Sequence, residues 1–325
     1  MRVLVTGGSG YVGSHAVREL AAAGHKVVIY DNLATGHRIL ADGFELIEGD
    51  IVDNARLGPL LARVDAVMHF AASAYVGESV EQPRKYFSNN VESGLKLLDA
   101  VLASPVRIFV FSSTCAVYGV PEKLPISESA PTRPINPYGA TKLFFEQVLE
   151  AYRRSHNLSY MALRYFNAAG AHPGGLVGEI HNPETHLIPL ALKAAAGTAP
   201  RLRIFGNDFD TPDGTCIRDF IHVSDLGAAH VLALDHLARG GDSTILNLGT
   251  GRGTSVKEII QLFHELTGVA IPHEFAPRRP GDPPCLFACP SKAEKILGWA
   301  ARRTLTDILQ SAWAWEQRIH AGARG

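Results

Sequence analysis

Short apolar, β-branched runs alternate with amphipathic stretches through the first half of the chain. Residues 2–6, Arg-Val-Leu-Val-Thr, open it with the composition of a strand buried on both faces. Residues 26–30, 44–48, 66–70, 106–112 and 160–164 repeat that signature. Between them, residues 15–23, 86–103 and 138–155 carry apolar positions at helical spacing. Such alternation predicts a parallel sheet with helices on both faces, whose ligands sit beyond the carboxyl ends of the strands.

After Phe166 the texture changes. Residues 168–218 are rich in Gly, Pro, His and Asp, with one helix-like piece at 187–196, and residues 272–290 form a second, proline-rich irregular stretch. Both read as a substrate lobe. Residues 223–237 read as a helix returning to the first domain. The expected division is therefore a nucleotide-binding domain over 1–167, rejoined by 219–250, and a smaller, interleaved lobe over most of 168–325. There is no internal repeat, and Trp313 and Trp315 read as packing residues.

Composition narrows the field. The 325 residues are 46% hydrophobic and 19% charged, as in an ordinary soluble globule. A formal charge of -1 exerts no general pull on nucleic acid or anionic membrane, so neither is an expected partner. No apolar run approaches the ~20 residues of a membrane span, and the chain opens on a strand rather than a leader peptide. Four scattered cysteines, 115, 216, 285 and 289, make no disulfide framework, so a reducing cytoplasm is the expected home. Cys285 and Cys289 have no second Cys/His pair at ligand spacing, and the 14 histidines are scattered; no metal is expected.

The candidate chemistry sits at strand ends. Gly7, Gly10 and Gly13 lie in the turn between the first strand and its helix, together with Tyr11 and Val12. Glycines there permit a tight turn and let backbone N–H groups approach a pyrophosphate. The second strand ends in Asp31, 18 residues beyond Gly13, where a carboxylate accepts both adenosine ribose hydroxyls and repels a 2′-phosphate. NAD is therefore preferred over NADP, with Arg38 keeping the second open. This completes the signature of a Rossmann-type fold. Tyr138 and Lys142 lie four apart on one helix face. A phenol titrates near pKa ~10, and bringing it to 7 takes about 4 kcal/mol, which a nearby ammonium and a positively charged nicotinamide can supply.

With Thr114 standing between these motifs, the chain resembles the extended short-chain dehydrogenase/reductase family, nearly end to end, and within it the UDP-glucose 4-epimerases. The likeness rests on Tyr11-Val12-Gly13-Ser14-His15, Asp31-Asn32-Leu33, Glu48-Gly49-Asp50-Ile51, His69-Phe70-Ala71-Ala72 and Val76-Gly77-Glu78-Ser79-Val80. Asn89-Asn90-Val91, residues 111–119, Arg164-Tyr165-Phe166-Asn167, residues 213–219 and residues 277–282 extend it. The resemblance implies that Tyr138 is the base for the sugar 4-hydroxyl, that Lys142 binds the nicotinamide ribose, and that Thr114 bridges Tyr138 and the sugar oxygen. It places Asn32, Asp50 and Ile51 toward the adenosine, Phe70, Ala71, Ala72 and Asn89 along the dinucleotide, and Phe166 by the nicotinamide. Asn167, His186, Arg218, Arg279 and Asp282 would hold a UDP-sugar, with Leu187, Arg203 and Phe205 at the uracil end. Leu286 or Cys285 falls where relatives place a bulky tyrosine or a small cysteine that gates the sugar pocket. The family's usual state is a homodimer.

The implied reaction is epimerisation at C4 of a UDP-hexose, UDP-galactose to UDP-glucose, through a 4-keto sugar. Three alternatives stand beside it. The same chemistry could act on UDP-N-acetylglucosamine or on UDP-xylose and UDP-arabinose. A 4,6-dehydratase needs an acid–base pair after the Thr, where this chain has Cys115-Ala116. A non-catalytic NAD-sensing protein of this fold would have lost the Tyr/Lys pair. For Arg218 and Arg279 the plain alternative is an ion pair with Asp219 or Asp282.

Overall fold

The computed structural model describes residues 1–279 and 281–322; Pro280 and the last three positions of the expected second lobe lie outside the described residues. Seven strands form one sheet: β1 (Arg2–Thr6), β2 (Lys26–Asp31), β3 (Glu45–Glu48), β4 (Ala66–His69), β5 (Ile108–Thr114), β6 (Ser159–Tyr165) and β7 (Thr244–Leu248). Their order is β7-β6-β5-β4-β1-β2-β3, and every pairing is parallel. This is a Rossmann-type doubly wound sheet. The winding reverses between β1 and β4, which opens a crevice at their carboxyl ends.

Strand alternation explains the near-continuous apolar runs. Val3 and Val5 face one core with Val17, Leu20, Met68, Leu226 and Leu234. Leu4 faces the other with Val67, Leu97, Phe109, Phe111 and Phe145. Helices Tyr11–Ala22 and Val223–Ala238 cover the first face, and Ser93–Leu102 and Pro137–His156 the second. With both faces covered, successive side chains on a strand are all buried.

Local signals set the element ends. Asn136 caps helix Pro137–His156 by accepting from Gly139 N at 2.8 Å, Pro137 takes the first position, where no N–H is needed, and Asn157 closes the helix in the left-handed region. The predicted helix over 86–103 is a composite, Pro83–Tyr86, a π-helical stretch Phe87–Glu92, and Ser93–Leu102. A π-turn widens the helix by one residue and rotates the side chains beyond it.

The remaining segments build a third core around Ile188, Leu192, Ile204, Phe220, Ile259, Phe263 and Leu309. Residues 272–290 are less irregular than their prolines suggest. His273–Ala276 pairs with Leu202–Phe205, and Cys285–Leu286 pairs with Ile217–Arg218. Helices Val256–Thr267 and Leu305–Gly322 complete this region, the first opened by a reciprocal Ser255/Glu258 cap. Trp313 meets Phe263 edge-on at 5.3 Å between ring centroids, and Trp315 is buried. Among the described residues, no helix is long and apolar enough to cross a membrane.

Candidate active site

The glycine turn is shaped by contact. Gly7 has φ +76°, and a Cβ there would lie 2.4 Å from Ala71 N; one on Gly13 would lie 2.2 Å from Gly7 O. Any larger residue would push the turn off its own helix and off the end of β4. Gly10 starts helix Tyr11–Ala22 without a side-chain cap, leaving the first-turn amides of Tyr11, Val12 and Gly13 disposed for an anion. Tyr11 is buried, and its hydroxyl donates to Gly170 O at 2.6 Å. Asp31 ends β2 with its carboxylate accepting from Ser9 N and Leu33 N, each at 2.9 Å. Burial raises its pKa, and the two amide bonds work against that rise.

Around this turn, Asn32 donates to Asp50 at 3.1 Å, Ile51 is buried, and Phe70 lies 4.7 Å from the His230 ring. Ala71 N bonds Thr6 O at 3.1 Å, Ala72 follows it past the end of β4, and Asn89 donates to Ser73 at 3.2 Å. Arg38 is paired with Glu48 on the surface. The uncapped helix start, the glycines that no other residue could replace and the buried carboxylate one strand away suit a dinucleotide.

Thr114 ends β5 and Tyr138 stands in the first turn of helix Pro137–His156; both are 7% exposed. The Tyr138 phenol is pushed well up, first by burial and then by Tyr165, with the Thr114 hydroxyl opposing. Lys142 is 4% exposed, donates to Ser112 O at 2.8 Å, and lies 5.9 Å from the centroid of the Tyr138 ring. Burial pulls it down to about 7, against Glu146. Burial and Tyr165 thus disfavour the phenolate, and Lys142 spends its hydrogen bond on Ser112 rather than on Tyr138.

Phe166 is buried beside Val117, Tyr118, Ile126 and Ala288, with Cys115 and Leu286 packed against the same group. Leu286 thus stands against the Phe166 group, while Cys285 precedes it on a short strand. Asn167 N bonds Asp219 O at 2.9 Å. Arg218 is paired with Asp282 and also donates to Ile217 O at 2.7 Å. The plain ion-pair reading therefore describes Arg218 here. Asp219 takes no part in it, being fully buried against Thr250, Gly251 and Ala288. Arg279 lies over the Phe205 ring at 4.0 Å and Arg203 at 5.4 Å, forming an aromatic–guanidinium group of their own. His186 precedes helix Leu187–Ala195, whose first residue, Leu187, packs into the third core.

Two groups were passed over in the sequence. Glu146, one turn beyond Lys142, forms a buried pair with Arg164, which also donates to Tyr118 at 2.9 Å. The helical spacing from Lys142 to Glu146 was a usable signal. The second is Glu179, His181, Glu184 and His186, whose ligand atoms lie within 4.8 Å of one another. A count of cysteine-containing pairs overlooks an all-Glu/His set.

Residues 3–249 match the NAD dependent epimerase/dehydratase family, and the chain belongs to that family. It is 50% identical to a UDP-glucose 4-epimerase of Azospirillum brasilense, over 100% of this chain and 96% of that protein. A UDP-glucose 4-epimerase of Brucella ovis, solved in complex with NAD, superposes with a TM-score of 0.94 at 51% identity, covering 96% and 97% of the two chains. One from Stenotrophomonas maltophila, with bound NAD and formylated UDP-arabinopyranose, gives 0.96 at 42% identity over 99% of each.

Proposed function

We propose that this chain is an NAD-dependent UDP-glucose 4-epimerase. The observation that carries this reading is the buried Thr114–Tyr138–Lys142 group at the carboxyl end of β5, in a chain about half identical end to end to proteins of that name. NAD bound across the β1/β4 crevice supplies the hydride acceptor and donor, and its positive charge when oxidised. Gly7, Gly10, Tyr11, Val12, Gly13, Asp31, Asn32, Asp50, Ile51, Phe70, Ala71, Ala72, Asn89 and Phe166 hold it.

Tyr138 takes the proton of the sugar 4-hydroxyl as C4 loses hydride, and returns it when hydride re-enters from the other face. For this its phenol must come down by several units, at least about 4 kcal/mol of electrostatic stabilisation. Lys142, whose ammonium burial disfavours, would hydrogen-bond the nicotinamide ribose and hold Tyr138 toward phenolate through its charge. Thr114 carries the proton between Tyr138 and the sugar oxygen. Arg218 and Arg279 anchor the diphosphate, and Asn167, His186, Leu187, Arg203, Phe205 and Asp282 line the rest of the nucleotide. An anchor on the diphosphate leaves the 4-keto sugar free to turn over. The neighbouring Cys115 thiol, raised to about 12 by burial, offers no acid–base partner for a dehydration.

The domain division at 167, with 219–250 returning to the first part, is our reading of the same architecture. A homodimer is supported by Phe87 and Phe144, 45% and 42% exposed on the helical stretches over 86–103 and 138–155, through which the resembled family usually dimerises. A cytoplasmic location accords with four free cysteines. Leu286, packed against the Phe166 group where relatives place a bulky tyrosine or a small cysteine, leaves both UDP-hexoses and N-acetylated sugars to be tested. The test is conversion of UDP-galactose by purified protein with no added NAD. A UDP-glucose mixture from the wild type and none from Tyr138→Phe supports the reading. No conversion with NAD bound, on UDP-galactose, UDP-N-acetylglucosamine and UDP-xylose alike, overturns it.

A further inference from the structure

Residues 179–186 carry four ligand-type side chains in eight positions, Glu179, His181, Glu184 and His186, just before helix Leu187–Ala195. The backbone holds them in place. Trp315 Nε1 donates to Glu179 O at 3.0 Å, and the amides of Thr185 and His186 both donate to Glu184 Oε1, at 2.8 and 2.9 Å. The Glu179 and Glu184 side chains are only 6% and 5% exposed, while His186, at 45%, leaves a way in from solvent.

The geometry is that of a coordination shell. Glu179 Oε1 lies 2.6 Å from His186 Nδ1 and 3.0 Å from His181 Nδ1, and Glu184 Oε1 lies 3.4 and 3.9 Å from the same two nitrogens. A tetrahedral ion with bonds of 2.0–2.2 Å sets its ligands about 3.4 Å apart, and these four edges bracket that distance. Glu179 Oε1 and His181 Nδ1 are buried and make no hydrogen bond. They are close without the alignment a hydrogen bond requires, as fits lone pairs that share a third partner. Two protonated imidazoles paired with the two carboxylates are the metal-free alternative for this cluster.

We propose that Glu179, His181, Glu184 and His186 bind one divalent transition-metal ion of the zinc or cobalt class. Two imidazole nitrogens and two carboxylate oxygens suit such an ion better than magnesium or calcium, which take oxygen-rich shells. The site stands beside the nucleotide turn, with Tyr11 edge-on to His181 at 6.2 Å and Tyr75 at 5.6 Å. An ion there ties the loop that leads into helix Leu187–Ala195 to its base.

The experiment is a Co²⁺ titration of the full-length chain, stripped with a chelator and kept with NAD. We expect saturation at one equivalent, d–d absorption of a four-coordinate nitrogen/oxygen site without a thiolate charge-transfer band, and a change in Trp315 fluorescence. Zn²⁺ should displace the cobalt. His181→Gln and Glu184→Gln should each weaken binding at least about tenfold, with circular dichroism establishing that each variant is folded. Absence of saturable binding, a thiolate band, or unchanged affinity in a folded variant overturns the site. Should both variants fail to fold, the wild-type stoichiometry and spectrum decide.

Discussion

Lys142 and Arg218 are two cations of the candidate site held in opposite ways. Lys142 rises from a long helix into the space beneath β5, makes no salt bridge among the described residues, and rests on one carbonyl oxygen. Arg218 sits on a two-residue strand among loops, already paired with Asp282. Burial disfavours the first, and the proposed reaction would use it once a cofactor and a phenolate are present. The second is already neutralised, and the proposed diphosphate would have to displace Asp282 or join it. Rigid elements therefore carry the reactive groups, and the mobile chemistry of anchoring is left to short strands and loops.

The sharpest way to break this contrast is at the phenol that Lys142 serves. Tyr138→Phe should lower kcat by roughly 10²–10⁴ and leave UDP affinity within about twofold, read by steady-state kinetics and calorimetry. Arg218→Met should do the reverse. Loss of charge-assisted bonds worth about 1.5–3 kcal/mol weakens UDP binding roughly 10- to 100-fold, while hydride transfer within the bound complex survives. If Arg218→Met instead left UDP affinity intact, its ion pair would be its whole role.

Stability separates the two cations further. Lys142→Met removes a buried charge that burial already disfavours, and should stabilise the fold by about 1–3 kcal/mol in urea titrations while abolishing turnover. A loss of stability would mean that the bond to Ser112 outweighs desolvation. Stability should also depend on pH. Burial holds His15 and His69 down to about 3, and His222 and His230 down to about 4, from the ordinary 6.5. The unfolded chain binds these protons first, so stability is present above pH 6.5 and drains away as pH falls toward 4. Each histidine contributes up to about 1.4 kcal/mol per pH unit. Urea midpoints measured from pH 7 to 4.5 should fall, and more gently in His230→Phe.

Much of this was legible in the chain because one physical cause controlled each feature. Doubly covered strands must be apolar throughout, so β1, β2 and β6 stood out. A turn that must bring Gly7 within contact of Ala71 admits only glycine, so the loop stood out too. The π-helical stretch at Phe87–Glu92 did not, since an extra residue in a helix leaves no compositional trace. Neither did helix Val256–Thr267, which lies between two irregular stretches that drew the eye, although its Ser255/Glu258 cap was readable. The weak hold of Lys142 on Tyr138 was hidden because spacing gives a helix face, not side-chain direction. The Glu/His cluster was visible as letters but not as a site. Only folding shows that four side chains meet.

The central claim is that C4 is inverted by oxidation and reduction at one carbon, with Tyr138 moving the proton. UDP-galactose carrying deuterium at C4, converted in ordinary water and read by NMR, tests it directly. The account predicts UDP-glucose with the deuterium still on C4 and none released to solvent. Deuterium lost to water would contradict it, because the hydrogen would then have left as a proton and not as hydride.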